Sequence, residues 1–158
     1  MKILAFDQST VSTGWALYSD NHIAGYGTLV CSEKNANVFE KIMNMKNQVV
    51  ELIKSNAPDL CCIEDIQFQN SYKVYKILAM LCGVLANACL ECGVKVVVVS
   101  PKTWKSVFGV CGKKRDEQKE STINLVFDKY GLSVNTDEAD AIGILHWAIC
   151  EYKEEGVS

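Results

Sequence analysis

Four carboxylates stand where chemistry rather than folding would place them: Asp7, Glu64, Asp137 and Asp140. Asp7 ends the apolar run that starts at Lys2, and Glu64 ends Leu60-Cys-Cys-Ile-Glu64. Asp137 and Asp140 open an apolar helical stretch near the C-terminus. Acids that close buried strands suffer desolvation and mutual repulsion. Two unit charges ~4 Å apart repel by roughly 4 kcal/mol at an effective dielectric of 20. Hard divalent cations with oxygen-only coordination relieve that repulsion. The pattern therefore predicts a metal-dependent enzyme.

The elements that must bring these acids together follow from periodicity. Lys2 to Asp7, Thr13 to Ser19 and His22 to Val30 read as strands, with Ser19-Asp-Asn21 as the turn of a hairpin between the last two. Val38, Ile42, Met45, Val49 and Leu52 then repeat at helical spacing until Asn56-Ala-Pro58 stops them. Asp59 to Glu64 is a fourth strand. A helix from Ser71 to Glu91 follows and closes at Gly93. Val94 to Ser100 is a fifth strand, whose continuous valines predict burial on both faces. A basic loop, a helix near Asp116 to Tyr130, a turn at Gly131 and a last helix from Asp137 to about Tyr152 complete the order. Right-handed crossovers put the fourth and fifth strands parallel to the first, on its free side. The expected fold is α/β, with a five-stranded mixed sheet of three antiparallel strands and then two parallel ones, flanked by helices. Asp7 and Glu64 then share the carboxyl edge where ligands bind in open sheets.

At 158 residues, with 49% hydrophobic and 22% charged content, the chain suits one domain spanning 1–158. No uninterrupted apolar run has membrane-spanning length, and Val96 to Val99 reads as a buried strand, so no membrane association is expected. The start at Met1 runs straight into a strand pattern, which predicts no secretory leader and a reducing, cytoplasmic setting. The 8 cysteines sit mostly in apolar periodic segments and read as small hydrophobes. Cys89-Leu-Glu-Cys92 has zinc-like spacing but no second pair, so no structural zinc is assigned. Net charge is −3, yet Pro101 to Lys119 carries Lys102, Lys105, Lys113, Lys114, Arg115 and Lys119 against Asp116 and Glu117. That segment either tracks phosphates or forms a solvated face.

The stretch Asp7-Gln-Ser-Thr-Val-Ser-Thr13-Gly14-Trp15 resembles the opening of RuvC-type Holliday junction resolvases, where a strand-end aspartate precedes Thr-Gly-aromatic at this spacing. The resemblance continues at Ile63-Glu64, at the basic Pro101 to Gly112 segment around Lys105, and at Asp137-Glu-Ala-Asp140-Ala141. It implies an RNase H-like fold in which Asp7, Glu64, Asp137 and Asp140 ligate two Mg²⁺ ions (Mn²⁺ substituting), with Asp7 bridging them. It also implies Lys105 at the scissile phosphate, with a second lysine at either Lys114 or Lys119. An aromatic just after the second acid stacks at the branch point, a place for which Gln67 and Phe68 compete. Lys102, Lys113, Lys114, Arg115 and Lys119 would line the DNA. The implied reaction is paired hydrolysis of a four-way junction to 5′-phosphate and 3′-hydroxyl ends. Two nicks require two sites, hence a homodimer, for which the apolar helix Ser71 to Glu91 is the candidate interface. Gln8-Ser9 departs from the family's usual Pro-Gly.

Blander readings exist for single residues. Asp137 and Asp140 also suit a helix start capped by Thr136. Glu138 points about 100° away from Asp137 and reads as solvated, and Asp65 faces the other side of the strand from Glu64. Phe68, Trp104 and Tyr72 also read as packing residues. Three other functions compete: an RNase H-like nuclease acting on other branched DNA or hybrids, a junction-binding protein without catalysis, and a sugar or acetate kinase-like phosphotransferase suggested by Phe6-Asp-Gln-Ser-Thr.

Overall fold

A computed structural model of the chain describes residues 1–33 and 35–152. Among the described residues there are five strands: β1 (Ile3–Asp7), β2 (Ser12–Ser19), β3 (His22–Val30), β4 (Leu60–Glu64) and β5 (Lys95–Val99). They form one sheet in the order β3-β2-β1-β4-β5. The first three are antiparallel, and β4 and β5 run parallel to β1 and to each other. This is the expected sheet. Asp20 and Asn21 both take left-handed conformations at the β2–β3 turn, the pairing that matches a right-handed strand twist.

Among the described residues five helices cover the two faces: α1 (Val38–Asn56), α2 (Tyr72–Glu91), α3 (Pro101–Phe108), α4 (Arg115–Tyr130) and α5 (Thr136–Tyr152). Strand alternation divides β1 between two cores. Ile3 and Ala5 point into a cluster with Trp104, Val126, Ile142 and Leu145 from α3, α4 and α5. Leu4 and Phe6 point into another with Met45, Val49, Leu81 and Leu85 from α1 and α2. Cys61, Cys62 and Cys89 are buried within these clusters as hydrophobes. The tail from Lys153 to Ser158, expected to fray, lies outside the described residues.

Several expectations are corrected. Pro101–Phe108 is a helix, not a basic loop; Ser100 caps it, Pro101 occupies its first turn and left-handed Gly109 ends it. The valine run of β5 is not buried on both faces, because β5 is the sheet edge, and Val98 is 45% exposed. The cap of α5 is Asn135 rather than Thr136. Asn135 Oδ1 accepts from the Glu138 amide, and Glu138 returns a carboxylate to the Asn135 amide, so Glu138 completes a capping box rather than standing free in solvent. Finally, α2 is 20 residues long and apolar enough to cross a bilayer by length and composition. Its Leu81, Leu85, Ala88 and Cys89 stripe is buried against the sheet.

Candidate active site

The register of β1 on β4 ends at Phe6 opposite Ile63, so Asp7 and Glu64 leave adjacent parallel strands side by side. On the other flank Asp7 faces Gly14 of β2. A Cβ at Gly14 would collide with the backbone carbonyl of Asp137. Only glycine lets the start of α5 settle this low on the sheet, and that approach delivers Asp137 and Asp140 to the strand ends. The β1–β2 turn is tied by Thr13, whose buried Oγ1 donates to the Ser9 carbonyl at 2.7 Å and accepts from the Ser9 amide at 3.0 Å.

Neutral donors hold individual members of the cluster. Ser12 Oγ donates to Asp137 Oδ2 at 2.5 Å. Trp104 Nε1 donates to Glu64 Oε1 at 2.7 Å. Gln8 Nε2 donates to the Glu64 carbonyl at 3.1 Å, lacing the end of β1 to the end of β4. The unexpected Gln8 therefore has a structural task here. Ser12 and Trp104 are contacts the sequence reading missed. Trp104 lies in the core, as the packing reading had it, but also reaches the site.

The acids are near enough to shift one another's ionisation. Burial raises the Asp7 carboxyl well above the ordinary range, and Glu64, Asp140 and Asp137 add repulsion in that order. Burial raises Glu64, opposed by the Trp104 hydrogen bond, the Lys105 charge and a hydrogen bond with Asp7. Asp140 is pushed up to about 6 by burial and Glu64, with Lys105 and Lys119 pulling the other way. Among the described residues, no three acid, histidine or cysteine side chains are already gathered around one ion position. The donor set nevertheless fits a hard divalent cation: four carboxylates at one edge, acceptors only when ionised, with more negative charge than the local lysines offset.

Basic and aromatic residues surround the acids. Lys105 Nζ donates to Gln118 Oε1 at 3.3 Å and faces both Glu64 and Asp140. Lys119 also faces Asp140, whereas Lys114 lies exposed just before α4. Lys102, Lys113 and Arg115 are exposed. Glu117 accepts from the amides of Lys113 and Lys114 at 2.8 and 3.1 Å, so this acid caps α4 instead of pairing with a nearby base. Phe68 is not a core residue: it is 62% exposed in the loop after β4, edge-on to Tyr75 with centroids 5.8 Å apart. Tyr72 is exposed as well, against its packing reading.

The sequence model for the crossover junction endodeoxyribonuclease RuvC family matches residues 3–151. The enzyme of that name from Koribacter versatilis is 23% identical over 154 residues, 95% of this chain and 91% of the relative. The one from Ruegeria pomeroyi is 26% identical over 153 residues, covering 95% and 90%. Among solved structures, Thermus thermophilus RuvC in complex with a Holliday junction substrate superposes with a TM-score of 0.79 at 16% identity, covering 99% of this chain and 97% of that one. The yeast mitochondrial Holliday junction resolvase Ydc2 superposes at 0.60 and 16% identity, covering 97% and 82%.

Proposed function

The chain belongs to the RuvC family of crossover junction endodeoxyribonucleases, and from that premise we propose that it resolves four-way DNA junctions by divalent-metal-dependent phosphodiester hydrolysis, leaving 5′-phosphate and 3′-hydroxyl ends. The observation that carries this reading is the convergence of Asp7, Glu64, Asp137 and Asp140 from three elements onto one sheet edge. Buried acids that repel one another when ionised are a standing destabilisation at neutral pH that bound cations relieve. The family assignment sets aside the kinase-like alternative.

Asp7, Glu64, Asp137 and Asp140 hold the metal in this reading, with Asp7 central because it feels all three others. A bound pair of Mg²⁺ ions, or Mn²⁺ in their place, supplies the Lewis acidity for water attack and for departure of the 3′ oxygen. Lys105 and Lys119 border the acids and neutralise the scissile phosphate as it approaches. Lys102, Lys113, Lys114 and Arg115 follow the backbone of the arms without reading sequence. Phe68, exposed in the loop that follows Glu64, stacks on a base at the branch. Paired nicks require two copies of the site, and the partly exposed apolar surface of α2 supplies the homodimer contact. The whole chain acts as one nuclease domain on DNA in the cytoplasm.

Cleavage of end-labelled four-way, three-way, duplex and RNA–DNA hybrid substrates, with Mg²⁺ and with EDTA, tests the proposal. Symmetric metal-dependent nicks in the four-way substrate are expected. Preference for a flap or hybrid would move the assignment to another RNase H-like nuclease. Asp7→Asn should abolish cleavage while retaining junction binding, and a variant that cuts like wild type in Mg²⁺ would remove Asp7 from the site.

A further inference from the structure

Trp104 links two groups of the acid cluster that the chain supplies from distant segments. Its Nε1 donates to Glu64 Oε1 of β4 at 2.7 Å. Its six-membered ring lies against Gly143 of α5, one turn past Asp140, where a Cβ would strike the ring edge and come within 2.8 Å of Cε3. The side chain is fully buried, so neither contact can be exchanged for water. The space left by Gly143 is thus what allows the indole to pack against α5 and still reach the carboxylate.

An indole N–H is a donor only, so it favours the ionised, accepting form of Glu64 and fixes its rotamer. A carboxylate with one oxygen anchored presents the rest of its lone pairs in a defined direction, the arrangement by which outer partners orient metal ligands. Filling the core does not by itself require this bond. Trp147, in the same cluster, buries its Nε1 with no hydrogen-bond partner among the described residues, so an indole in this core need not reach a carboxylate.

We propose that Trp104 is a positioning residue for metal capture: its Nε1–H sets the Glu64 carboxylate, and Gly143 provides the space that makes this possible. The inference rests on the metal-nuclease reading above and deepens it.

Calorimetric titration of the full chain with Mn²⁺, in the absence of DNA, tests it without relying on activity. Trp104→Phe and Gly143→Ala should each weaken Mn²⁺ binding by about 10- to 100-fold, while junction affinity in EDTA stays at the wild-type level. The double variant should bind Mn²⁺ no more weakly than Trp104→Phe alone, because the smaller ring leaves room for the new methyl. Replacing Trp104 with benzothienylalanine by stop-codon suppression keeps the ring's shape and deletes only the donor, so it separates the hydrogen bond from packing. That protein should show the same loss. If it binds Mn²⁺ like wild type, or if the two single losses add in the double variant, the positioning role is overturned. A wild-type chain that binds no Mn²⁺ overturns the metal-nuclease reading itself, and the inference with it.

Discussion

Ser12 and Asp137, 125 residues apart, meet at the junction of β2 and α5, Oγ donating to Oδ2 at 2.5 Å. Two residues further along β2, Gly14 admits the Asp137 backbone. One residue sets how near the helix start comes, and the other sets where its first acid points. A hydrogen bond to a charged acceptor contributes roughly 1.5–3 kcal/mol. Ser12→Ala should therefore raise the Mg²⁺ concentration needed for half-maximal junction cleavage by about tenfold, with Ser12→Thr close to wild type. An unchanged Mg²⁺ requirement in the alanine variant would show that Asp137 needs no anchor.

Metal-free protein should lose stability as pH rises through the range where most proteins gain it. Asp140 ordinarily ionises near 3.8, but in the fold it keeps its proton to about 6. The native state then binds more protons than the unfolded chain, so this contribution is fully present below 3.8 and is lost as pH rises through about 6. A shift of about two units corresponds to about 3 kcal/mol. Urea denaturation in EDTA between pH 4 and 7.5 should show the loss in wild type and a smaller one in Asp140→Asn. Saturating Mg²⁺ should restore stability at neutral pH, because it binds the ionised native cluster. Identical pH dependence in wild type and Asp140→Asn would mean the buried acid is not titrating as described.

The strand-end acids and the sheet order were readable because both follow local rules: alternation in β1, the hairpin turn at Asp20-Asn21, and right-handed crossovers for β4 and β5. Features that depend on global position were not. The valines of β5 signal burial, but nothing near them in the chain says that the strand is an edge. The Trp104–Glu64 and Ser12–Asp137 bonds span 40 and 125 residues and leave no periodic trace. Two missed features did have signatures. Ser100-Pro101 and Gly109 bracket α3, but eight residues containing two lysines gave too short a pattern to stand out from a loop. Asn135 and Glu138 have capping-box spacing, which Thr136 obscured by being another good cap residue beside it.

Lys119, not Lys114, should be the second lysine at the chemistry. Lys119 faces Asp140, while Lys114 precedes α4 in solvent. Lys119→Ala should lower the single-turnover cleavage rate by about tenfold or more, since it removes a cation from the developing phosphate charge. Lys114→Ala should instead weaken junction binding and reduce the slope of log affinity against log salt by about one. Rate constants at saturating protein and binding isotherms between 50 and 200 mM salt, roughly the range over which phosphate contacts are felt, separate the two. The reverse pattern would assign Lys114 to the scissile phosphate.

The apolar surface left on α2 fits a second copy of this chain better than water. Leu81, Leu85, Ala88 and Cys89 pack on the sheet, yet Val74 remains 55% exposed in the first turn, with Ile77, Met80 and Val84 half-buried along the flank that follows it. A two-fold pairing of this helix would bury that stripe and fix two identical acid clusters in one particle. Val74→Asp places a charge on the stripe without entering the core, so the monomer should remain folded while the dimer dissociates. Sedimentation velocity at micromolar protein should then show a single-chain species for Val74→Asp and a two-chain species for wild type. On a junction held in a supercoiled plasmid, where paired cuts give linear product and single cuts give nicked circles, the variant should shift from linear to nicked. A wild-type chain that sediments as a monomer, or a Val74→Asp variant that still gives linear product, would place the coupling of the two nicks elsewhere than α2.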